Sequence, residues 1–142
     1  MTKTRLITAA VLLAAACLAL AYWFVREAPE PPPIAVTCAD PQAGCTAQVE
    51  GRPVRIGLVG PLRPLQPFHV WVEAPGAGAV TARFDMVGMN MGFNRYALRP
   101  DVAGVFRARV TLPVCVSGRR DWVMTVDING GTRLAVPFAT TL

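Results

Sequence analysis

The chain is 142 residues long, 53% hydrophobic, with 14 Lys and Arg against 9 Asp and Glu for a formal charge of +5. Such a length admits one domain plus a short accessory segment. With one serine (Ser117), one histidine (His69) and one lysine (Lys3), the material for Ser-His-Asp or Ser-Lys chemistry is missing.

No Cys-x-x-Cys pair, P-loop or dinucleotide fingerprint is present either. Asp85, Asp121 and Asp127 sit where polar strand faces are expected, so the chain is not expected to be an enzyme.

Residues 1–6 form a tail carrying Lys3 and Arg5, and residues 7–25 contain no charge. At about 1.5 Å per residue such a run spans roughly 28 Å as a helix, enough for a bilayer core. The basic tail predicts a cytoplasmic N-terminus, and Tyr22, Trp23 and Phe24 suit a membrane interface better than a signal-cleavage region. Cys17, inside the run, reads as a membrane packing residue. Residues 26–33 hold four prolines and no apolar periodicity, which predicts a stiff extended spacer. The remainder, 34–142, is expected to be one extracytoplasmic domain.

Cys38 and Cys45 flank a turn-rich loop in a compartment that should be oxidising, so a local disulfide is expected there. Cys115 makes three such cysteines, and spacing does not decide which is left over. From Val54 onward apolar residues alternate with polar ones, with turn signals between the runs. The runs are 54–58, 68–73, 80–86, 106–112, 121–128 and 134–138, with a short one at 96–98. That pattern predicts an all-β fold, an immunoglobulin-like antiparallel sandwich of about seven strands. The domain carries 11 Arg and no Lys against 7 carboxylates. No basic run is interleaved with stacking aromatics, so nucleic acid is not an expected partner.

Residues 84–96 hold three of the five methionines, Met86, Met89 and Met91, with Gly88 and Gly92 around Met89-Asn90-Met91. A thioether is a soft donor that loses no proton on binding, so clustered Met favours Cu(I) over zinc, magnesium or calcium. Met86 and Met124 share the inward phase of their strands, whereas Met89 and Met91 lie beyond the strand. His69 or Cys115 would complete a Cu(I) site with them. Met also coats adaptable apolar surfaces. The second reading is therefore a metal-free docking patch of Trp71, Gly88, Asn90 and Phe93 with the methionines.

An N-terminal anchor, a Pro-rich spacer and a small β-domain carrying Met86-Val87-Gly88-Met89-Asn90-Met91-Gly92 are similar in layout to the YtkA-like and FixH-like proteins, over about residues 68–138. The resemblance implies a single-pass protein of a bacterial inner membrane with its domain in the periplasm. It also implies copper handling or cytochrome oxidase assembly, with a respiratory oxidase or its assembly factors as partner. The chain departs from that pattern at Asn90, where those proteins carry a His after the Gly-Met pair. The block 112–122 looks like a second signature, with a turn at Ser117-Gly118 and Arg119 or Arg120 pairing with Asp121.

Overall fold

The computed structural model describes residues 2–26, 31–115 and 118–141. Two compact units result, residues 1–30 and 31–142. The first holds one helix, α1 (Thr2–Arg26), which is 25 residues long. Its stretch Ile7–Phe24 is long and apolar enough to cross a membrane. Four consecutive residues of the expected spacer, 27–30, fall outside the described residues.

The second unit is all β. Its nine strands among the described residues are β1 (Ile34–Ala35), β2 (Cys45–Val49), β3 (Arg52–Val59), β4 (Phe68–Glu73), β5 (Val80–Met86), β6 (Arg95–Pro100), β7 (Phe106–Val110), β8 (Asp121–Ile128) and β9 (Thr132–Ala139). Lateral order is β1-β9-β8-β5-β6-β7-β4-β3-β2. Every pairing is antiparallel except β1 with β9. The seven alternating runs correspond to β3 through β9. The two further strands, β1 and β2, are the edges of the sheet, and an edge strand needs no strong two-faced pattern to pair on one side.

Strand β6 joins the two halves of the sheet. Its Arg95–Leu98 portion pairs with β5, and Arg99 and Pro100 pair with β7. Between β5 and β4 lie three strand spacings, roughly 14 Å on a flat sheet. The rings of Phe84 in β5 and Phe68 in β4 are nevertheless edge to face at 6.0 Å, and Phe84 meets Phe138 of β9 at 6.1 Å. The sheet must therefore curl around this aromatic centre. Alternation supplies the rest: β5 buries Val80, Ala82, Phe84 and Met86 and turns Thr81, Arg83 and Asp85 outward. Ile56, Leu58, Leu112, Trp122, Met124 and Leu134 are fully buried as well. Each such side chain contributes roughly 1.5–3 kcal/mol relative to exposure.

The expected local disulfide is present between Cys38 and Cys45, seven positions apart. Beside it, the outer face of β3 has Gly57, where any side chain would overlap the ring of Trp71 on β4. The Trp71 ring lies across that gap with the Arg55 guanidinium 5.6 Å from its centroid.

Candidate functional site

The methionine-bearing loop starts where β5 runs out of partners. Met86 stands opposite Trp122 of β8, and the chain then turns through Gly88 at φ 79°, a left-handed conformation that glycine adopts without strain. The Met89 amide donates to the Met86 carbonyl at 2.9 Å, making an isolated bridge between those two residues. The Asn90 side-chain oxygen accepts from the Gly92 amide at 2.8 Å. Asp85 ties the loop from outside, one carboxylate oxygen accepting from the Met91 amide at 2.7 Å and the other from Arg83 Nε at 2.6 Å. The return passes through buried Asn94, whose carbonyl accepts from the Phe84 amide at 2.9 Å.

These bonds put Met86, Met89 and Met91 on one side of a cleft of about 230 Å³. Pro113, Val114 and Cys115, from the segment after β7, line it together with Trp122 at the start of β8. Among the described residues no charged side chain lines it. Exposure is graded: Trp122 is 1% and Met86 3% exposed, Met91 and Cys115 are half-buried, and Met89 is 51% exposed. The buried Trp122 Nε1 has no hydrogen-bond partner among the described residues.

Arg119 follows Cys115 closely in sequence and binds the Asp121 carboxylate through Nη2 at 2.6 Å and Nε at 3.1 Å. Hydrogen bonding from Arg119 lowers the Asp121 pKa below the ordinary carboxylate value. The same bond, then the Asp121 charge, raises the Arg119 pKa, with a smaller electrostatic contribution from Cys115. Of the two arginines expected to pair with Asp121, Arg119 does so. Ser117, placed by sequence in a turn, lies outside the described residues.

Four of the five expected metal ligands, Met86, Met89, Met91 and Cys115, thus line one cleft. His69 does not line it. It is exposed on the outer face of β4, opposite Val59 of β3 and Arg109 of β7. Trp71 also lies elsewhere, over Gly57. Gly88 and Asn90 shape the loop, and Phe93 stands beside it at 83% exposure. Sequence reasoning missed Pro113, Val114 and Trp122 as cleft walls, although 112–122 was singled out as a block. For Trp122 the missing signal was the register setting it against Met86, which only the β5–β8 pairing reveals, and Pro113 and Val114 lie outside any strand, where alternation gives no signal.

Among the described residues no group of three or more His, Cys, Asp and Glu side chains could hold a metal. A metal in the cleft would accordingly rest on thioether sulfur, with one thiol. Comparison with known proteins returned no matching family model, no matching curated protein and no matching solved structure.

Proposed function

We propose that the β-domain binds Cu(I) in the cleft lined by Met86, Met89, Met91 and Cys115, and holds or passes it beside a bacterial inner membrane. The observation that carries this reading is the convergence of three thioethers and a thiol on one uncharged cleft. Soft neutral donors suit a soft monovalent ion, and a divalent hard ion would find no side-chain oxygen among those walls. Buried Met86 and half-buried Met91 would form the fixed part of the site, while exposed Met89 would open and close it. The immunoglobulin-like sandwich, the periplasmic side and the likeness to YtkA-like and FixH-like proteins belong to the same proposal. So does a respiratory oxidase, or one of its assembly factors, as recipient.

A titration of the full chain in detergent with Cu(I), against a competing chelator, tests it. One bound equivalent is expected, weakened at least tenfold by Met89→Leu with Met91→Leu, a loss of about 1.4 kcal/mol or more. A second reading rests on a separate observation, the exposed apolar side chains of Val87, Met89, Phe93 and Val114. These could seat an apolar protein partner without metal. Under that reading the wild type and the double variant compete with the chelator equally poorly.

A further inference from the structure

A second, separate surface carries an inference independent of copper. The outer face of β3, β4, β7 and β6 presents its side chains in lateral rows. In one row Gly57 is opposite Trp71, Trp71 opposite Arg107, and Arg107 opposite Arg99. In a neighbouring row His69 is opposite Arg109. Cross-strand neighbours of like charge are unfavourable, so Arg99 beside Arg107 costs stability unless an anion lies between or above them. Asp101 meets that need for Arg107 at 2.9 Å, and Glu73 meets it for Arg55 at 3.1 Å. Arg99 and Arg109 are exposed and have no ion-pair partner among the described residues. Among the described residues, the set Arg55, Arg99, Arg107 and Arg109 therefore has two carboxylate partners, Glu73 and Asp101.

We infer that this face, through Arg99, Arg107 and Arg109, docks on anionic phospholipid headgroups. Three features select that occupant. The cations are all arginine, whose planar fork binds phosphate oxygens in pairs, in a domain that contains no lysine. Trp71, half-buried on the same face with its ring over Gly57 and near Arg55, is an aromatic residue of the type enriched at headgroup level. And the chain's own helix is apolar enough to cross a bilayer, which would tether the domain near a phospholipid surface.

The experiment reads arginine accessibility in the full chain reconstituted in nanodiscs, by phenylglyoxal modification and mass spectrometry. In discs of phosphatidylcholine with phosphatidylglycerol, Arg99 and Arg109 are expected to react about five-fold more slowly than in phosphatidylcholine alone, as attraction of each basic residue to an anionic surface implies. Arg63, exposed in the loop before β4, serves as internal reference and should react equally in both. High salt should erase the protection. Arg99→Gln with Arg109→Gln, checked for an unchanged far-UV spectrum, should lower the protection of Arg107 as well. Equal labelling in the two kinds of disc would overturn the inference. So would equal protection by inorganic phosphate in phosphatidylcholine discs, which marks a free-anion site. Protection that appears only with native membrane protein present would also overturn it, in favour of an acidic protein partner.

Discussion

Asp85 is the residue on which the shape of the methionine loop turns, because its two carboxylate oxygens hold Met91 and Arg83 separately. Replacing it with alanine leaves the Met91 amide without its acceptor and Arg83 without that partner. A destabilisation of about 1–3 kcal/mol is expected from such a loss in a part-buried setting. Denaturant unfolding measures it, and faster hydrogen exchange at the Met91 amide would locate it. Gly57 tests a different kind of contact. In Gly57→Ala the new methyl group must displace the Trp71 ring, at an expected cost of about 1–3 kcal/mol. A red shift in tryptophan emission should accompany that loss, since the displaced ring gains water.

Elements were legible in proportion to how fully they alternate. Strand β5 reads as four buried and three half-buried positions in strict sequence, so its phase could be taken directly from the residues. That phase separated Met86 from Met89 and Met91 before any pairing was known. Strand β2 escaped notice because it has five residues at an edge, and β1 because it has two. The cleft was half legible. Its methionines are close together in sequence, whereas Trp122 arrives through the β5–β8 pairing and Pro113 and Val114 through the segment between β7 and β8. His69 was attached to the site as the only imidazole, and its strand lies in the other half of the sheet.

Two predictions belong to elements. The disulfide closes a short loop between Cys38 and β2, so Cys38→Ser with Cys45→Ser is expected to cost about 2–3 kcal/mol by chain-entropy reasoning. Comparison of unfolding midpoints with the intact protein measures it. In the β6–β7 turn, Asp101 accepts from the Ala103 and Val105 amides and from Arg107. Its carboxyl pKa is lowered, chiefly by the Arg107 hydrogen bond and next by the Val105 amide. A carboxylate with a depressed folded-state pKa contributes fully above its unfolded value and loses that contribution as pH falls through the folded one. The turn should therefore hold throughout neutral and mildly acid conditions and loosen only below the ordinary carboxylate range. The amide shifts of Ala103 and Val105 followed by NMR report it, and a transition above that range would contradict the assignment.

At the scale of the molecule, α1 and the curled sheet are separate compact units, each with its own chemistry. The helix supplies apolar length, and the sheet supplies two unlike surfaces, an uncharged sulfur-lined cleft and an arginine face. Those surfaces come from different strands: the cleft from the ends of β5 and β8 and the segment after β7, the arginine face from the outer sides of β4, β6 and β7. Substitutions at one should leave the other untouched. Arg99→Gln with Arg109→Gln is expected to leave Cu(I) affinity within about two-fold of wild type, as distant sites act additively.

X-ray absorption at the copper edge of the Cu(I)-loaded full chain is the most direct test of the sulfur cleft. A first shell of sulfur alone is expected, at about 2.3 Å by analogy with metal–thiolate bonds, with no imidazole scattering and with fewer sulfurs in Met89→Leu, Met91→Leu. A shell dominated by nitrogen or oxygen, or one that the double substitution leaves unchanged, would contradict it.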